Sequence, residues 1–186
     1  MPRIPLPTLE TMTPEQRRVY DSVVSGPRGE LRGPLRAALH RPELADKWSQ
    51  FGELLRYRTS LPARLSELAI LVTARYCQCE LEWHIHEEMA VKAGLERAII
   101  EDLRIGRRPV NADAEALAIH DYADELNRLK NVSDEIYQRV LKRWEPVGVV
   151  ELTALVGYYT MVAMTLNAHG ISLPDGARPP FASAAA

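Results

Sequence analysis

The sequence predicts an all-α fold, and three observations carry that expectation. Cap-and-proline signals that open helices recur along the chain, glycine and proline punctuation closes them, and no stretch alternates polar and apolar residues between turn signals as a half-buried strand would. At 186 residues the chain is expected to form a single domain, 1–186, large enough for a real core. Within it, 1–33 reads as an N-terminal extension and 171–186 as an extended C-terminal tail.

The elements follow in order. "TPEQ" at 13–16 supplies Thr13 as N-cap, Pro14 at the first helical position and Gln16 to close a capping box, and that helix ends near "SGPRG" at 25–29. A short helix over about 34–39 precedes Pro42, which opens a helix to about Tyr57. "TSLPARLSELAILVTARY" is expected to start at a Thr59 or Ser60 cap and run to about Tyr76. The next helix begins near Cys79 and stops at Gly94, a good C-cap residue. Later helices are expected over 96–105, 112–129, 133–144 and 147–168. The last of these lies in "PVGVVELTALVGYYTMVAMTLNAH", where Glu151 interrupts the apolar run before Asn167 and His169 end it. A membrane span needs about 20 consecutive apolar residues, so this helix is expected to be core and subunit interface instead.

Composition narrows the function. Hydrophobic residues make up 46% and charged residues 26%, with a formal net charge of −2. That balance argues against a nucleic-acid binder relying on broad phosphate attraction. "MPRIPLPTLE" lacks the charged and apolar regions of a secretory signal, so a cytoplasmic location is expected. The only two cysteines, Cys77 and Cys79, are separated by one residue, a poor spacing for a relaxed disulfide. "SGPRG" lacks the remaining residues of a nucleotide-binding loop.

Chemistry concentrates in "RYCQCELEWHIHEEMAVKAGL", residues 75–95. At about 100° per residue, Cys79, Glu82 and His86 occupy one helical arc roughly 60° wide. Met89 and Ala90 continue that arc, so it faces inward, whereas His84 and Glu87 fall outside it and read as solvated. A thiol, a carboxyl and an imidazole on an inward face need partners. Four readings of them stay open. A metal site lacks H-E-x-x-H and a second cluster; a dithiol site wants C-x-x-C where this chain has C-x-C; an acid–base pair needs only Glu82 and His86 side by side; and a hydrogen-bonded pair could simply brace two helices.

The string "LPARLSELAILVTARYCQCELEWHIHEEMAVKAGL", with "SGPRGELRGPL" before it and "ELTALVGYYTMVAMTLNAHGISLP" and "RPPF" after it, resembles the carboxymuconolactone decarboxylase family. The same superfamily includes the AhpD-type alkylhydroperoxidases. Its peroxidase branch carries E-x11-C-x2-C-x3-H, which aligns here with Glu67, Cys79, Glu82 and His86, so Glu82 stands where the peroxide-attacking cysteine would be. The resemblance implies an AhpD-like helical bundle assembled as homotrimers or homohexamers. It implies cofactor-free and metal-free acid–base chemistry, decarboxylation or lactone processing, on a small carboxylated substrate. His86 and Glu82 would handle protons, and Glu67 would be a relay or supporting carboxylate. Cys79 would serve a thiol-dependent peroxidase reading, and a non-catalytic oligomer is the remaining alternative. Arg75 and Trp83 are the expected substrate contacts, with Arg64, Arg56 and Arg58 as further cations and Tyr158, Tyr159, Asn167 and His169 as residues that could line a pocket. No nucleic-acid or membrane partner is expected.

Overall fold

The computed structural model describes residues 1–181. Its elements are α1 (Pro14–Ser25), α2 (Pro34–Ala38), α3 (Pro42–Tyr57), α4 (Ala63–Tyr76), α5 (Glu80–Lys92), α6 (Arg97–Arg104), α7 (Ala114–Leu129) and α8 (Asp134–His169). Among the described residues there is no strand, and the all-α expectation holds. The chain divides into two compact units, Met1–Arg58 with Thr165–Ser172, and Thr59–Met164 with the segment from Leu173 onward.

The first unit contains α1, α2 and α3. Thr13 caps α1 by accepting from the Gln16 N–H, and the Gln16 side chain returns to the Thr13 N–H, the reciprocal box read from the sequence. Val19 and Val23 of α1, Leu35 of α2 and Ala45, Trp48 and Leu55 of α3 are buried. The N-terminal segment is tied in by the Arg3 N–H, which donates to the His169 carbonyl at 2.7 Å.

The second unit is organised around α4, which packs against α5, α6 and α7. Leu65, Leu68, Ala69, Ile70, Leu71 and Ala74 of α4 are all buried, so α4 has almost no solvent face. Each large apolar side chain so buried contributes about 1.5–3 kcal/mol. Ahead of α4 the structure corrects the cap. Pro62, not Thr59 or Ser60, stands at the N-cap, because Ser60 is engaged elsewhere: its N–H and hydroxyl both donate to Glu151 Oε2, at 2.8 and 2.6 Å. The charge that interrupts the apolar run of α8 is thus a tether for the α4 approach.

Buried polar side chains tie α4, α7 and α8 together. Asn127 Nδ2 donates to Thr73 Oγ1 at 3.1 Å and to the Ala123 carbonyl at 2.8 Å, and Thr160 Oγ1 reaches Asn127 Oδ1 at 3.5 Å. Tyr122 and Thr153 hydroxyls meet at 2.7 Å. Asp121 accepts from Arg108, Arg139 and His120. Burial raises its pKa, but these three donors outweigh that and hold the carboxyl well below its ordinary range.

α8 is one assignment across a break. Glu145 has φ 57° and ψ −176° inside it, immediately before Pro146. The proline ring disfavours helical backbone at the preceding residue, which accounts for the separate helices expected before and after this point. A Cβ at Gly148 would collide with the Trp144 Cβ, so the first turn after the break requires glycine. By length and composition α8 could cross a membrane, and half of its most apolar window is buried. Leu152, Leu155 and Val156 point into the core while Val147 and Val150 are exposed.

Candidate active site

The site lies where α4 hands over to α5. Helix α4 ends at Cys77, Gln78 takes the left-handed conformation with φ 51°, and the Cys79 N–H donates back to the Ala74 carbonyl at 2.9 Å. This tight turn makes Cys79 the N-cap of α5 and places Glu82 in its first turn and His86 one turn further along. Gly94, with φ 88°, ends α5, and the Leu95 and Gly94 N–H groups close on the Ala90 and Val91 carbonyls. Cys79 and Glu82 are 1% exposed and His86 is 5% exposed, so the inward arc is inward in fact.

His86 is paired with Glu67. Its Nδ1 lies 2.7 Å from Glu67 Oε2, both side chains being largely buried. With Glu67 as carboxylate, Nδ1–H donates, which fixes the tautomer that leaves Nε2 as the basic nitrogen. The Tyr159 ring meets the imidazole edge-on, centroids 4.9 Å apart and planes at 86°, and so limits its rotation. This corrects the pairing expected from helical spacing. Glu82 shares an arc with His86, but the carboxylate that bonds the imidazole comes from α4.

Glu82 is a different kind of group. Neither of its buried oxygens has a hydrogen-bond partner among the described residues. Loss of water drives its pKa well above the ordinary value, and the neighbouring Cys79 thiol opposes that shift without reversing it. The first turn of a helix favours a negative charge by at most ~2 kcal/mol, whereas burying an unpaired ion costs several. Burial therefore favours the protonated form of Glu82, which can donate a proton.

The same surroundings silence the thiols. Burial, then repulsion from Glu82 once that carboxyl ionises, pushes Cys79 up to about 12, against some help to the thiolate from the Glu82 N–H. Cys77 is pushed up to about 11 by burial and Glu82, with Lys130 opposing. A cysteine at a helix N-terminus would ordinarily be acidic; this one is not. Among the described residues no three His, Cys, Asp or Glu side chains converge as metal ligands.

The residues expected as substrate contacts each have partners within the fold. Trp83 is fully buried, its Nε1 donating to Glu87 Oε2 at 3.0 Å, with the Arg104 guanidinium 5.3 Å from its ring centroid and the Phe181 ring edge-on at 5.3 Å. Arg75 Nε donates to the Arg104 carbonyl at 2.9 Å while its guanidinium stacks on Phe181 at 4.9 Å. Glu87, read as solvated, instead binds both Trp83 and Arg104. Arg64 pairs with Asp113 and Glu115, Arg58 pairs with Glu53, and Arg56 stacks on Tyr57. Tyr159 is the one aromatic of α8 that the structure sets against His86, and only the apolar pattern around it pointed there.

Residues 42–125 match the model of the carboxymuconolactone decarboxylase family. No curated protein matches the sequence significantly. Among solved structures, the chain is similar to an alkylhydroperoxidase AhpD core, an uncharacterized peroxidase-related protein from Ralstonia eutropha JMP134. The TM-score is 0.77 at 14% identity, covering 94% of this chain and 93% of that one. A protein of unknown function from Agrobacterium tumefaciens, described as an AhpD antioxidant-defence candidate, gives a TM-score of 0.67 at 14% identity, covering 77% and 99%. The debrominase Bmp8, in a cysteine-to-alanine form with 2,3,4-tribromopyrrole, gives 0.70 at 13% identity, covering 94% and 92%. At these identities the likeness establishes the fold, which is the AhpD-like one.

Proposed function

We propose that this chain, whose residues 42–125 form a carboxymuconolactone decarboxylase family segment on an AhpD-like fold, is an acid–base enzyme acting on a small carboxylated substrate. The observation that carries this reading is the buried His86–Glu67 pair, with its 2.7 Å bond to Nδ1. Glu67 holds the ring and stabilises the imidazolium that forms when Nε2 takes a proton. Nε2 then takes or returns that proton at the carbon that loses CO₂, or at water attacking a lactone carbonyl. Glu82, whose protonated form burial favours, supplies a second proton-bearing group close to the same helix turn.

The test is turnover of carboxylated lactones by the parent protein and by His86→Asn and Glu67→Gln. General acid–base contributions of about 10²–10⁴ are expected to vanish with His86, and a smaller part of them with Glu67. Turnover unchanged in both variants would sink the assignment. Thiol-dependent peroxidase chemistry at Cys79 is the second reading, favoured by the place of Cys79 at the N-cap of α5 and opposed by the upward shift of its pKa. Peroxide with a sulfenic-acid trap separates the two, since stoichiometric trapping at Cys79 would replace the acid–base reading. Self-association as a homotrimer or homohexamer is proposed with either reading, supported by the exposed Val147, Val150 and Met164 of α8.

A further inference from the structure

The segment from Leu173 to Phe181 belongs to the second unit and has no helix or strand. It makes a turn, with Gly176 at φ 80° and the Ala177 N–H donating to the Pro174 carbonyl at 3.1 Å. Pro174, Asp175, Gly176, Arg178 and Pro179 are exposed. Phe181 is not: it is 7% exposed and enters a slot made by three side chains. Trp83 meets it edge-on, Arg75 covers its face, and Arg104 Nη1 donates to the Pro180 carbonyl at 3.4 Å. An exposed, irregular segment held by one buried aromatic opens at low cost relative to the helices beneath it.

What lies under that aromatic gives the contact a consequence. Trp83 and Cys79 are four residues apart on α5, and the Trp83 N–H donates to the Cys79 carbonyl, so the indole and the thiol share one helix face. Glu82 is the residue next to Trp83. Phe181 covers Trp83, and Cys79 and Glu82 are closed to water. Arg104 stacks on the indole as well and bonds Glu87, which accepts from the indole N–H.

We propose that Leu173–Phe181 is a strap whose latch, Phe181, seals the face of α5 carrying Cys79, and that unlatching it is the local motion that admits solutes to this part of the site. The strap is a device of access, separate from the reaction assigned to His86 and Glu67. It stands or falls without an identified substrate.

The experiment measures alkylation of Cys79 by iodoacetamide at mildly alkaline pH, in a Cys77→Ala background so that one thiol is read. Adding Phe181→Ala is expected to raise the labelling rate roughly tenfold or more, whereas Phe181→Tyr, which keeps the ring, is expected to stay near the parent rate. Low urea concentrations distinguish the route, because opening a strap exposes little surface and gives a weak urea dependence. An unchanged labelling rate in a folded Phe181→Ala protein would overturn the proposal. So would an acceleration that carries the full urea dependence of global unfolding.

Discussion

Replacing Glu82 by methionine should make the protein more stable, and more so as the pH rises. The side chain is 1% exposed and both carboxyl oxygens lack partners. On protein scales an unsatisfied buried polar group costs about 1–3 kcal/mol, and a methionine of similar length removes that cost and adds apolar burial worth about 1 kcal/mol. The gain at pH 5 is thus about 2–4 kcal/mol. The pH dependence follows from the direction of the Glu82 shift. The folded pKa lies well above the unfolded value near 4.5, through burial. Between those two values the folded chain keeps a proton that the unfolded chain has lost. Stability from this group is complete below the unfolded pKa and falls as pH rises toward the folded pKa, by up to about 1.4 kcal/mol per pH unit. Methionine has no such slope, so the difference between variant and parent should grow from pH 5 to pH 8, while other titrations cancel. Urea denaturation followed by circular dichroism reads this directly. With slopes of about 1–3 kcal/mol per molar urea, the midpoint should move by roughly 1 M at pH 5 and further at pH 8. A gain that is the same at both pH values, or a loss, would refute the reasoning and mean that the carboxyl is charged and partnered in the fold.

Two further outcomes are expected. Asn127→Ala should cost about 2–4 kcal/mol in the same denaturation assay, because it removes the donor to Thr73 and the acceptor for Thr160 and leaves a cavity between α4, α7 and α8; a loss within 0.5 kcal/mol would show the network to be incidental. Glu82→Cys places two thiols three residues apart at the start of α5, with a thiol in place of the carboxyl beside Cys79, so mild oxidation should form a disulfide between 79 and 82, read as a loss of two mass units. Failure to cross-link under diamide would show that the turn at Gln78 does not let the sulfurs meet.

Much of the fold was legible in local chemistry. Thr13 with Gln16, Pro42, Gly94 and the Glu145–Pro146 break each act within a few residues, so reading them needs no tertiary information. The site was legible by half. Helical spacing put Cys79, Glu82 and His86 on one buried face, but it could not say which carboxylate the imidazole would choose, since that depends on how α4 crosses α5. The resemblance brought Glu67 of the preceding helix in as a relay or supporting carboxylate, and in the structure its Oε2 lies 2.7 Å from His86 Nδ1. Trp83 and Arg75, expected as substrate contacts, lie against Phe181, about 100 residues away, a contact that no local pattern announces. Asn127 carries no local signature at all, because its side-chain partners Thr73 and Thr160 come from two helices remote in sequence.

The central claim is that Glu67 holds His86 through Nδ1 and leaves Nε2 for the chemistry. The most direct measurement is ¹⁵N NMR of the histidine side chains at neutral pH, in the parent protein and in Glu67→Gln, with His86→Asn to assign the signal. The structure predicts that Nδ1 of His86 carries a proton bonded to Glu67, and that the Nδ1 signal changes when Glu67 is replaced. A His86 protonated on Nε2 with a free Nδ1, unaffected by Glu67→Gln, would contradict it.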